Sequence, residues 1–284
     1  MPKQLFNILV PVDFSAKDKW AIAKAIELAN SLDCNIHFVH VVSKRIFPLM
    51  NVEAAEFYPY DYTVDLKNAR DRLMQLKNEY QQHLCCNGKI EVSVLHGNAQ
   101  EELTKYIRLF QMDLVVKGLA KFNLLHRIIS SVSISSLTRK TNVPVLAVMA
   151  SGLVSHFKKI VLPLHNEIPM RSIRLAALLG RSFKSTIFVV SLRNSGGEHN
   201  IPVLSQTLEI IQSITTIPVQ SIMLEGKNIA LSTLTFSKKI NADLIMINTL
   251  KDFYLPGLWN RLTKRWLSYS SGIPVLTVDQ TGQE

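Results

Sequence analysis

Cysteine is scarce in this chain and follows no pattern. Cys34, Cys85 and Cys86 are the only three in 284 residues. Without a CxxC or a Cys/His spacing, neither a disulfide framework nor a zinc site is expected; reduced thiols and a cytoplasmic location are. Long apolar runs are lacking too. The stretch from Thr141 to Phe157 has no Asp, Glu, Lys or Arg, yet it contains Pro144, Gly152, two serines, Asn142 and His156. A membrane span needs about 20 mainly apolar residues, so none is expected. The run from Ile8 to Val12 is too short for a signal peptide and leads straight into Asp13. Also missing are GxxxxGK followed by Ser or Thr, GxGxxG, HExxH and GxSxG, which removes the standard enzyme signatures. Finally, charge is not concentrated. The net +10 is spread, with 18 basic against 14 acidic residues up to position 150 and 14 against 8 beyond it. Diffuse positive charge favours anionic partners in general, but no Lys/Arg block, Arg-rich arm or aromatic-interleaved basic motif argues for nucleic acid.

What the chain does have is itself, twice. Ile8-Leu9-Val10-Pro11-Val12-Asp13 matches Ile160-Val161-Leu162-Pro163-Leu164-His165 at an offset of 152. Asp113-Leu114-Val115-Val116 matches Asp243-Leu244-Ile245-Met246, and Asn142-Val143-Pro144-Val145-Leu146 matches Gly272-Ile273-Pro274-Val275-Leu276, both at 130. The order is conserved between copies, so this is a tandem duplication lacking a net 22 residues in its second copy. Much of that difference falls at Ser43 to Asp65, an irregular loop rich in Tyr and Pro without a counterpart. Two domains are expected, 1–151 and 152–284.

Within a copy, short Val/Ile/Leu runs alternate with amphipathic stretches. Leu5–Val12, Asn35–Val42, Lys89–Leu95, Leu114–Lys117 and Pro144–Met149 read as strands without strict alternation, as a parallel sheet covered on both faces requires. Ala16–Leu32, Leu66–Cys85, Ala99–Gln111 and Ile128–Thr141 read as helices, the first with an apolar stripe of Trp20, Ala23, Ile26, Leu28 and Ala29 and with Ser15 as its N-cap. The second copy places strands at Lys159–Leu164, Thr186–Leu192, Val219–Leu224, Leu244–Asn248 and Pro274–Val278. The fold class is therefore α/β, with two tandem doubly wound five-stranded parallel sheets. Ligands in such sheets bind beyond the carboxyl ends of the strands, where strand order reverses. That edge gathers Asp13, His40 to Val42, His96-Gly97-Asn98 and Gly118 to Ser131 in the first copy.

These residues resemble a family. Asn7 to Ser15, His96-Gly97-Asn98 with Glu101 and Glu102, Asp113 to Val116 and Val143-Pro144-Val145-Leu146 look like the universal stress protein family (UspA domain), over nearly the whole chain. The resemblance implies an adenine-nucleotide α-hydrolase-like fold, with one branch that binds ATP and another that does not. In the binding branch an acidic residue ends strand one, and a glycine pattern after strand four, closing in Gly and then Ser or Thr, holds the phosphates. Asp13 and Gly118 fit that pattern, Lys121 replaces the second glycine, and Ser130 and Ser131 stand for the closing pair. The implied cofactor-binding set is Asp13, Val41, Gly97, Gly118, Lys121, Ser130 and Ser131, with no catalytic residue and no metal ligand. In the second copy His165 replaces the acid and Asn248 or Thr249 the first glycine.

The resemblance thus implies a non-enzymatic stress or regulatory protein with weak ATP or AMP binding in its first domain. Its alternatives are a nucleotide-free structural or interaction module and a weak ATPase. His40 and His96 read as satisfied polar groups rather than bases, and Lys251, Arg261, Lys264 and Arg265 as a solvated face rather than an anion site. The final strands, each opened by a proline, are expected to pair and make the two copies a pseudo-dimer within one chain. A homodimer and an unidentified protein partner stay open, while a membrane is excluded.

Overall fold

The computed structural model describes residues 7–43, 62–119, 133–149, 156–164, 167–193, 200–226, 228–249 and 272–280. The first half runs β1 (Asn7–Pro11), α1 (Asp18–Leu32), β2 (Asn35–Val42), α2 (Tyr62–Gln81), β3 (Ile90–His96), α3 (Ala99–Leu109), β4 (Leu114–Gly118), α4 (Ile134–Thr141) and β5 (Val145–Val148). The second runs β6 (Lys159–Pro163), α5 (Met170–Phe183), β7 (Thr186–Leu192), α6 (Asn200–Ile214), β8 (Val219–Leu224), α7 (Ile229–Lys239), β9 (Leu244–Thr249) and β10 (Val275–Asp279). All strands join one ten-stranded sheet in the order β3-β2-β1-β4-β5-β10-β9-β6-β7-β8. Within each half every pairing is parallel. The halves meet where β5 and β10 run antiparallel, with Leu146 opposite Leu276. Each half alone would leave its fifth strand with unpaired amides, so the two edges satisfy one another.

The duplicated motifs have visible work. Asp113 Oδ2 accepts the Asn7 N–H at 3.2 Å, and Asp243 Oδ2 accepts the Lys158 and Lys159 N–H groups at 3.0 and 2.9 Å. Each aspartate thereby ties the start of its half's first strand to the fourth. Asn98 and Asn228 likewise each cap a helix, their side-chain oxygens accepting two N–H groups of the first turn.

The core on the α1 and α5 face runs unbroken from Ile8, Val10 and Ile22 through Leu146 and Phe157 to Ile173, Ile187 and Leu276. Two smaller clusters lie on the opposite face, one under α3 and α4 and one under α7. The stripe expected on α1 needs correction, because Ala23 is exposed and Lys24 is buried. The Lys24 stem lies in the core while its ammonium, 2.6 Å from Glu27 Oε2, sits 4.9 Å from the centre of the Phe157 ring. Glu27 also reaches His156 Nδ1 at 2.9 Å, so a helix of the first half is hydrogen-bonded to the entry of the second.

A second link crosses at α5. Arg171 Nη1 donates to Asp279 O and Nη2 to Asn142 O, both at 2.6 Å, joining β10 to the carbonyl at the end of α4. Arg171→Ala removes both, which should cost about 1–3 kcal/mol. Urea denaturation followed by circular dichroism checks it; an unchanged midpoint would mean that the link contributes nothing.

Candidate functional site

β1 pairs with β2 on one side and β4 on the other, so the strand order reverses at β1 and a crevice opens at its carboxyl end. Asp13, two residues beyond β1, stands in that crevice with its side chain 54% exposed. Its Oδ2 lies 2.5 Å from Lys17 Nζ, and its Oδ1 accepts the Ser15 N–H at 3.1 Å. Burial pushes the Asp13 carboxyl up, but Lys17 and Ser15 together hold it below the ordinary carboxylate value.

The turn from β1 into α1 is held by Asp18 rather than Ser15. The helix begins at Asp18 with no side-chain cap on Lys17, and Asp18 Oδ2 reaches back to accept the Asp13 and Ser15 N–H groups at 2.9 and 3.2 Å. Ser15 is therefore not the N-cap; it lies outside the helix, and its carbonyl accepts the Asp18 N–H. Burial, followed by the neighbouring Asp13 charge, pushes the Asp18 carboxyl up to about 7. A folded-state pKa above the unfolded one contributes stability below about pH 4 that is lost as pH rises through about 7. Asp18→Asn keeps an oxygen for the two N–H groups and does not ionise. Relative to the parent, this variant should gain stability steadily between pH 4 and 8, read from denaturation midpoints; a pH-independent difference would refute the assignment.

Phe14 follows Asp13 at φ 60°, a left-handed conformation costly for an aromatic residue. Its ring lies between His40, with centroids 4.6 Å apart, and the Arg72 guanidinium, 3.9 Å away. The strained turn is thus clamped against β2 and α2. His40 Nδ1 bonds Val12 O at 2.7 Å, and burial holds the imidazole below its usual value. It is a satisfied, neutral group. His96 stacks on Tyr62 at 4.2 Å, and its Nε2 is buried without a partner among the described residues.

The remaining expected residues spread along the same edge. Val41 is half-buried on β2 opposite Leu95, and Gly97 follows β3 at φ 138°, where a side chain would be strained. Gly118 ends β4. A Cβ there would fall 2.2 Å from the Lys17 carbonyl oxygen, so the glycine admits the start of α1 against the end of β4. Sequence reasoning assigned Gly118 to phosphate alone and missed this packing role. It also missed Lys117, whose ammonium is pushed down to about 8 by burial and then by Lys17, with Asp13 and Asp18 pulling it back up. Lys121, Ser130, Ser131 and His165 lie outside the described residues, as do Lys251, Arg261, Lys264 and Arg265 and the loop at 44–61; Tyr62 to Asp65, expected in that loop, already belong to α2.

The corresponding crevice of the second half lies between β6 and β9. Asn248 takes the place of Gly118 and is tied down. Its Oδ1 accepts from Ser172 Oγ and from Gln280 Nε2, the latter at 2.9 Å, and Gln280 Nε2 also donates to Ser172 Oγ at 2.9 Å. Three side chains from β9, α5 and the residue after β10 are thus tied to one another at this edge.

The model of the universal stress protein family matches residues 5–149, just over half of the chain. The chain belongs to the universal stress protein family. Among solved structures, this universal stress protein is similar to one from Archaeoglobus fulgidus DSM 4304, at 14% identity and a TM-score of 0.72, over 96% of this chain and 98% of that one. It is also similar to a putative universal stress protein from Pseudomonas aeruginosa UCBPP-PA14, at 13% identity and TM-score 0.59 over 97% and 93%. The cytoplasmic domain of a prokaryotic cation chloride cotransporter aligns at 13% identity and TM-score 0.56 over 98% and 97%. These likenesses establish the two-part fold. No curated protein sequence matches this one. Among the described residues, no helix is long and apolar enough to cross a membrane.

Proposed function

We propose that this universal stress protein is a non-enzymatic, cytoplasmic regulator of two domains meeting near Ser151-Gly152, and that adenine nucleotide, ATP or AMP, binds weakly and only in the first domain. The observation that carries the reading is the contrast between the two crevices. At one the Asp13 carboxylate is exposed; at the other Asn248, Ser172 and Gln280 spend their polar groups on one another. In the first, Asp13 accepts hydrogen bonds from the nucleoside, Val41 and Gly97 border it, and Gly118, Lys121, Ser130 and Ser131 face the phosphates. The Lys17–Asp13 pair does not bar entry, since an exposed ion pair is worth about 0–1 kcal/mol and a ligand outcompetes it readily. Weakness follows from the two family glycines replaced at Lys121 and Ser130, where side chains limit how closely backbone amides approach phosphate.

A nucleotide-free interaction module is the second reading. It is favoured by one contact: the space a side chain would take at Gly118 is already filled by the Lys17 carbonyl. Isothermal titration with ATP and with AMP, each with and without magnesium, separates the two. Saturable heat with a single site per chain supports the first reading, and none at millimolar nucleotide supports the second. Phosphate released from ATP above the background rate would replace both with an ATPase.

A further inference from the structure

Among the described residues, the outer strand of the first half, β3, ends the sheet and has no neighbour on its far side. Gly97 N–H donates to Val42 O at 3.0 Å, and Lys89 O accepts the Ile36 N–H at 2.8 Å, so odd-numbered residues turn their amides towards β2. Strand alternation then turns the N–H and C=O groups of Ile90, Val92 and Val94 outward. At Ile90 the outward N–H is met by Gln81 Oε1 at 3.3 Å, so α2 closes that end of the edge. Val92 and Val94 have no such partner among the described residues.

Those amides lie in an open groove of about 780 Å³ whose floor is Val92, Ser93, Val94 and Leu95. The groove straddles the sheet edge. Ser93 faces α3, its hydroxyl 3.0 Å from Tyr106 OH, whereas Val92 and Val94 pack into the core beneath α1 and α2. A compact ligand would occupy one face; four consecutive residues of a free edge, flanked on both, suit an added strand.

The two walls differ chemically. On the α2 wall Lys67 and Arg70 are exposed and, among the described residues, no carboxylate pairs with either. On the α3 wall the charges cancel, Lys105 Nζ lying 2.7 Å from Glu102 Oε1, while Leu109 and Phe110 are 76% and 42% exposed. An incoming strand sends alternate side chains to opposite walls, acids to one and apolar groups to the other. We propose that the β3 edge binds an extended segment of a partner protein by strand addition, and that this segment alternates acidic with apolar or aromatic residues.

The test uses the full chain and a fluorescent, end-blocked peptide Glu-Phe-Glu-Val-Glu-Phe, followed by anisotropy. Saturable binding is expected, weakened at least ten-fold when Lys replaces Glu in the peptide, when alternate peptide amides are N-methylated, or when Lys67→Glu and Arg70→Glu are combined on the exposed wall. Val94→Pro, which removes an outward N–H, should weaken it similarly, and saturating ATP should not compete. No binding, or equal binding of the lysine or N-methylated peptides, overturns the proposal. So does a dimer in sedimentation that Val94→Pro dissolves, because a second copy of the chain would then occupy the edge.

Discussion

Asp13→Ala abolishes the nucleotide heat signal, and His165→Ala leaves it unchanged: this is the largest effect expected on binding. The carboxylate stands at the point of strand reversal with half of its side chain open to solvent, and its hydrogen bonds to Ser15 and Lys17 hold it ionised. Each hydrogen bond to a charged group contributes on the order of 1.5–3 kcal/mol, so losing one or two weakens an already weak site by about ten-fold or more. At the corresponding edge of the second half Asn248, in the place of Gly118, already spends its oxygen on Ser172 and Gln280. Titration of both variants decides the matter. Binding removed by the second substitution and not by the first would put the site in the wrong half.

The phosphate side of that site carries a testable electrostatic signature. The net charge of +10 and the lysines at 17 and 117 favour an anion, but Asp13 and Asp18 sit beside those two. Charge attraction between exposed groups is screened within about 8–10 Å at ordinary ionic strength. ATP affinity should therefore fall as salt is raised from 50 to 300 mM, and Lys121→Ala should flatten that dependence.

How much of this was legible beforehand depends on what the residues were being asked. The strands were legible because Val, Ile and Leu runs such as Asn35–Val42 and Thr186–Leu192 report burial on both faces directly, and their observed bounds are those expected. The pairing of β5 with β10 was legible from the duplication, which puts two identical unpaired edges in one chain. The start of α1 was not. A serine before an amphipathic stretch reads as a cap, yet at Ser15 the carboxylate of Asp18 takes the nearby N–H groups instead, a backward reach that spacing does not encode. Lys24 was missed for a related reason: its burial depends on Glu27 and on Phe157, the latter 133 positions away, and periodicity within one helix is blind to a distant partner. The hydrogen-bonded set at the second edge joins Ser172, Asn248 and Gln280, three residues of unremarkable type that only the fold brings together.

Gly118→Ala should destabilise the protein more than any other single methyl group added at this edge. The new Cβ would lie 2.2 Å from the Lys17 carbonyl oxygen, 2.8 Å from its carbonyl carbon and 3.2 Å from its Cβ. Two of these three are backbone atoms, so no side-chain rotation relieves the contact. Nor can the carbonyl swing away cheaply, because it accepts the Trp20 and Ala21 N–H groups at 3.1 and 3.4 Å and so closes the first turn of α1. Either that turn opens or β4 shifts against β1 and β5, whose ladders it shares. Overpacking of this kind costs about 1–3 kcal/mol, and the lost turn adds to it. A domain of about 150 residues loses about 2–4 °C in melting temperature per kcal/mol. A fall of roughly 5–10 °C is expected in calorimetry, with nucleotide affinity reduced because Asp13 is carried by the same turn. An unchanged melting temperature would show that α1 does not rest on β4 as closely as the glycine allows.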